Sequence, residues 1–97
     1  MAGVVWTEKA LAWLEEIHGY IAEENPGAVV GLVDAISGRV DQLEMHPQSG
    51  HRYEQSARHI RILVYRSYRI AYLVESERRV FVLGVFHGAM DITRFLD

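Results

Sequence analysis

The hydrophobic period of this chain changes once, at residues 46–50 (HPQSG), and that single switch limits the folds open to it. Before the switch, apolar residues return every three or four positions, which places them on one face of a helix. Leu14, Ile17 and Ile21, with Leu11 and His18 beside them, predict a first helix. Thr7 suits its N-cap, because a hydroxyl there can accept from an amide of the first turn that has no helical partner. Val29, Val33, Ile36, Val40 and Leu43 predict a second helix, opened by Asn25 as cap and Pro26 at the first helical position, where no amide donor is missed. The short link makes the two an antiparallel hairpin with facing apolar stripes. Pro47 ends it, since proline disfavours helical geometry in the residue before it, His46.

From about Arg58 the period is two. Ile60, Ile62 and Val64 alternate with Arg61, Leu63 and Tyr65; Tyr68, Ile70, Tyr72 and Val74 alternate with Arg69, Ala71 and Leu73. Arg66 and Ser67 form a tight link, and residues 75–79 (ESERR) a looser one, so these strands and residues 80–87 form an antiparallel meander. On the alternation of each strand, Arg61 and Arg69 are expected to share the face turned away from the helices. The last strand is apolar on both sides, Val80, Val82 and Phe86 against Phe81, Leu83 and Val85, so it must be central or covered twice. Phe95 and Leu96, or a partner protein, could supply the second cover. With a short apolar strand at residues 4–6, the predicted class is α+β. An N-terminal strand and an antiparallel helical hairpin pack on an antiparallel sheet completed by the C-terminal meander, in one domain over residues 1–97.

Ninety-seven residues can bury one core without a staple, and the chain has no cysteine, which removes disulfides and thiolate metal ligands. No signal-peptide pattern opens the sequence, and its longest apolar run, residues 80–86, is far too short to span a bilayer. The expectation is a cytoplasmic protein with no membrane contact. The net charge of -3 is unevenly divided. Through Gln48, eight acids face only Lys9 and Arg39; from Ser49 onward, eight arginines face five acids. Such asymmetry suits a second half that meets something anionic, and it also suits a solvated sheet face.

Phosphate-binding glycine loops, zinc spacings and nucleophile elbows are absent. No cofactor is expected. Arg52, Arg58, Arg61, Arg66 and Arg69 interleave with His51, His59, Tyr65 and Tyr68, a pattern that fits an RNA-contacting face or a protein interface. His51, His59 and His87 carry imidazoles, the side-chain type suited to proton transfer near neutral pH, so with Arg61 or Arg69 they could supply a base, an acid and a cation for metal-free RNA cleavage. The structural alternative makes His51 a turn residue, His59 an exposed strand residue and His87 the polar end of a buried strand. In residues 87–91 (HGAMD), Gly88 would permit a positive backbone angle and Asp91 would cap a short terminal helix. Trp13 and Tyr20, seven apart, widen the apolar arc of the first helix beyond what one partner helix needs.

Taken together, VVWTEKALAWLEEIHGYIAEENP, HPQSGHR, RILVYRSYRIAYLV and VFVLGVFHGAMD, in this order and spacing, resemble the ParE/RelE superfamily of toxins from bacterial type II toxin-antitoxin modules. The resemblance runs from about Val4 to Asp91. It implies a plasmid-stabilisation or addiction-module toxin, silenced in a hetero-oligomer by a ParD- or RelB-like antitoxin. Apolar surface at Trp13, Tyr20, Val30, Phe81 and Leu83 would then receive the antitoxin. For the target it implies either ParE-like poisoning of DNA gyrase or RelE-like messenger-RNA cleavage in the translating ribosome. Arg61, Arg69, His87 and Asp91 would contact the target; in a nuclease, Arg61, Arg69, His87 and His59 would carry the catalysis. The ending resembles the ParE-type HGARD, with Met90 in place of its arginine, and gyrase is the favoured target. A non-toxic binding module on the same fold is the third reading, since fold does not set function.

Overall fold

The computed structural model describes residues 2–24, 26–88 and 90–96; for residues 21–24, 26 and 28–30 the backbone alone is described. Strand β1 (Gly3–Trp6) leads into helices α1 (Glu8–Glu24) and α2 (Pro26–Asp41), and a 3-10 turn (Gln42–Glu44) closes the second helix. Strands β2 (His51–Arg52), β3 (Ile60–Tyr65), β4 (Tyr68–Ser76) and β5 (Arg79–His87) follow, then a 3-10 turn (Ile92–Arg94). The five strands form one sheet in the order β1-β5-β4-β3-β2. The predicted α+β class holds, with two departures. The sheet is mixed rather than antiparallel, because β1 runs parallel to β5, and the two-residue β2 has no periodicity by which a sequence could reveal it. Among the described residues no helix is long and apolar enough to cross a membrane.

Thr7 joins the first layers. Its Oγ1 accepts from Ala10 N at 3.2 Å as the predicted N-cap, and donates to Val82 O at 2.7 Å, which ties the start of α1 to β5. Pro26 opens α2 as expected; the Asn25 cap lies outside the described residues, as do the side chains of Ile21 and Val29. The core between helices and sheet places Ile36, Val40 and Leu43 against Ile70, Tyr72, Val80, Val82 and Val85, with Leu14 and Ile17 packed at its edge. Each fully buried Val, Ile or Leu there stabilises the fold by about 1.5–3 kcal/mol before ordering costs.

The other face of the sheet carries a second core of Ile60, Ile62, Ala71 and Phe86, covered by Tyr53, Ile92 and Leu96. The tail therefore supplies the second cover that β5 requires. One expectation about β5 changes. A register shift between Ala71 and Tyr72 leaves Leu83 as an extra residue, so Val85 joins Val80 and Val82 on the helix side, while Phe86 joins Phe81 on the other. Strict alternation, which pairs Phe86 with Val82, fails at this bulge. Gly84 follows from the same feature: a Cβ there would overlap the Phe86 ring, which is only 1% exposed and held between Trp13 and Phe95.

Tyr72, fully buried between the helices and the sheet, accepts from Gly50 N at 2.8 Å through its phenol oxygen. Burial raises its pKa above the ordinary value of 10.0, outweighing the hydrogen bond from Gly50 and the nearby Arg61 charge. Since the unfolded chain then loses this proton first, the stability linked to Tyr72 is present below pH 10.0 and falls as pH rises through the folded pKa. Tyr72→Phe should flatten that alkaline limb in denaturant titrations, while costing about 1–3 kcal/mol at neutral pH through the unpaired Gly50 amide. Gly84→Ala should cost about 1–3 kcal/mol from overpacking against Phe86, read as a lowered melting temperature; an unchanged melting temperature would mean that the ring moves freely.

Candidate functional site

A groove of about 530 Å³ opens between α1 and the ends of β4 and β5. Trp13, Glu16, Ile17 and Tyr20 form its helical wall at spacings of three, one and three; Tyr68, Val85, His87 and Met90 form the sheet side. His87, opposite Tyr68 on β4, lies on the helix-side face and meets that ring edge-on, at 5.8 Å and 88°. Tyr20 is 66% exposed at the groove's mouth. Trp13 sits at the rim of the second core and is half-buried. Its indole packs edge-on against Phe86 at 4.9 Å and Phe95 at 5.3 Å, so much of it belongs to the second core.

The arginines do not share a face. The two-residue turn pairs Tyr65 with Tyr68, so residues facing each other across β3 and β4 have opposite parity in number. Arg61 lies opposite Tyr72, on the helix side; Arg69 lies opposite Val64 and Phe86, on the other side. The expectation of a common arginine face is thus overturned by the register of the hairpin, which the alternation of each strand alone does not reveal. Both guanidinium groups hold backbone. Arg61 Nη1 donates to Gly50 O at 2.7 Å and Gln48 O at 3.3 Å, bracing the loop before β2. Arg69 Nη2 donates to Met90 O at 2.6 Å and Gly88 O at 3.2 Å, while its buried Nε has no partner.

The histidines are also apart. His59 is exposed and its carbonyl accepts from Val74 N at 2.9 Å, six residues along β4 from the partner of His87. At about 3.3 Å per residue that offset is about 20 Å along the strands; by the same measure Arg61, opposite Tyr72, is offset from His87 by about 13 Å along the strands, with β4 between them. His51 and Arg52 are exposed on β2 and border a shallower hollow beside Arg69 and Ile92. Among the described residues no cluster of His, Asp or Glu could hold a metal ion.

The tail departs from β5 under polar control. Gly88 N donates to Ser67 O at 2.6 Å. Its backbone angle is not positive, contrary to expectation; a Cβ there would sit 3.1 Å from Ser67 O, so close approach is what favours glycine. Asp91 caps the terminal turn as expected, accepting from Thr93 N at 3.1 Å and Thr93 Oγ1 at 2.6 Å, and these bonds hold its carboxyl below the usual carboxylate range. Phe81 and Leu83 are half-buried on the face of the second core; Val30 lies in α2 and its side chain is outside the described residues. Glu16, Ile17 and Val85, which complete the groove, were not singled out by sequence as site residues: their place depends on how α1 crosses β5.

Arg69 thus pins the segment that carries Phe95 and Leu96 over Trp13 and Phe86. Arg69→Gln should loosen this cover without unfolding the sheet, giving a red-shifted Trp13 emission and faster proteolysis after residue 88. Equal proteolysis rates for the two proteins would show that apolar contacts alone retain the tail.

Three comparisons bear on this arrangement. A family model described as "ParE toxin of type II toxin-antitoxin system, parDE" matches residues 4–92. A relative named "Putative toxin Y4kP", from Sinorhizobium fredii, is 34% identical over 83 residues, which cover 86% of this chain and 84% of the relative. The fold matches a chain from the structure of the chromosomal ParDE TA system from P. aeruginosa with a TM-score of 0.77 at 21% identity, covering 90% of this chain and 96% of that one. The family match spans both layers, from β1 through the start of the terminal turn. This chain belongs to the ParE toxin family of type II toxin-antitoxin systems.

Proposed function

We propose that this toxin acts by binding and poisoning DNA gyrase in the cytoplasm, in the ParE manner, and that its cognate ParD-like antitoxin silences it as a hetero-oligomer. The target surface in this reading is the C-terminal end of the sheet, where His87 and Asp91 flank the segment pinned by Arg69. The antitoxin meets the apolar surface that includes Tyr20, the edge of Trp13, Phe81 and Leu83.

The observation that carries this choice is the dispersal of the cleavage candidates. A metal-free ribonuclease needs its acid, base and cation within hydrogen-bond reach of one phosphate. Here Arg61 and Arg69 lie on opposite faces and both donate to backbone carbonyls, while His59 and His87 stand at opposite ends of the sheet. A surface that works by binding requires no such convergence. The RelE-like reading, ribosome-dependent cleavage of messenger RNA, is the alternative, and it would have to assemble these groups on the ribosome.

The two readings separate by magnitude. With purified gyrase and DNA, the chain should accumulate cleaved complexes and leave messenger RNA in translating ribosomes intact. His87→Ala should reduce potency by at most about tenfold, the scale of one lost contact worth about 1.4 kcal/mol. Loss of a general acid or base would instead cost about 10²–10⁴-fold. Message cleavage that disappears in the His87→Ala variant would overturn the gyrase reading.

A further inference from the structure

The groove between α1 and the ends of β4 and β5 is lined by one acid, Glu16, and by no lysine or arginine. Trp13 and Tyr20 lie one turn before and one turn after Glu16 on the same face of α1, and Tyr68 stands across the groove on β4. Glu16 is exposed and makes no hydrogen bond or ion pair with any described residue. Lys9 borders a neighbouring hollow with Trp13 and Glu16, yet forms no ion pair with that carboxylate. The whole helix repeats the imbalance, with Glu8, Glu15, Glu16, Glu23 and Glu24 against Lys9 alone.

Three aromatic rings around an unpaired carboxylate select a cation. The face of a ring is the negative end of its quadrupole, so a positive group over it is attracted, and more strongly once water is displaced. Ile17, Val85 and Met90 supply the apolar surface that displaces water and receives the aliphatic stem of a long basic side chain. A neutral apolar ligand would instead cover Glu16 without giving it a partner, which costs the desolvation of a charge. Guanidinium fits better than ammonium, because it is planar, stacks on rings and offers a carboxylate two parallel N–H donors. The volume of about 530 Å³ lies within the range of small-ligand sites, about 300–1,000 Å³.

We propose that this groove receives one basic side chain of the toxin's target, an arginine in preference to a lysine, held by the Glu16 carboxylate among Trp13, Tyr20 and Tyr68. The target is assigned by continuity: His87 lines the groove and also belongs to the proposed target surface at the exit of β5. The inference rests on the gyrase reading for the identity of the partner, and on the groove's own chemistry for the cation. Because Tyr20 and Trp13 also lie on the antitoxin surface, a bound antitoxin closes the same entrance.

The test titrates the full chain with N-acetyl-arginine amide and with N-acetyl-citrulline amide, its uncharged isostere, following the Trp13 indole and Tyr68 ring signals by NMR. The arginine probe should bind at least about tenfold more tightly, and added salt should narrow the difference. Glu16→Gln, at an exposed position, should abolish the preference. Tyr20→Leu should weaken the arginine probe and Tyr20→Phe should restore it, since the ring and not the hydroxyl meets the cation. In the gyrase cleavage assay Glu16→Gln should lower potency about tenfold. Equal binding of the two probes, or no shift with either, overturns the site whether or not gyrase is poisoned. Full gyrase potency in the Glu16→Gln variant overturns the assignment to the target. An arginine preference in a chain that does not poison gyrase removes the gyrase reading and leaves the cation site in place.

Discussion

The structure is organised by the need to bury β5 on both faces. A strand whose side chains are apolar on both sides cannot lie on an open sheet, because either face left in water would forfeit the transfer free energy of several large side chains. The hairpin of α1 and α2 covers Val80, Val82 and Val85; the tail covers Phe86 with Ile92 and Leu96. β1 closes the edge of β5 only as far as Val82, where Thr7 turns the chain into α1. Beyond Val82 the helix itself runs beside the strand, and there α1, β4 and β5 leave the groove at His87.

Polar side chains in this protein mainly fix the segments that leave the sheet. Arg61 and Tyr72 hold the loop at Gly50 from two directions, one donating to its carbonyl and one accepting from its amide. Arg69 holds Gly88 and Met90, and Asp91 then caps the last turn. Because each bond is made to backbone, its geometry is independent of the side chains those segments present. This anchoring also explains why charged residues in the strands, read as a functional cluster, instead act one at a time in distant places.

Much of the architecture was legible in the sequence because side-chain periodicity is a local property. Two helices, their Thr7 and Pro26 starts, the tight turn at Arg66 and Ser67, the Asp91 cap and the double cover of β5 all follow from residues close together in the chain. What the sequence could not express was register. Parity across the hairpin separates Arg61 from Arg69, the bulge at Leu83 exchanges Val85 and Phe86 between faces, and β1 joins in parallel. Each is a relation between strands rather than a pattern within one. The groove depended on tertiary structure for the same reason: Trp13, Tyr68 and His87 become neighbours only once α1 lies along the part of β5 that β1 leaves uncovered.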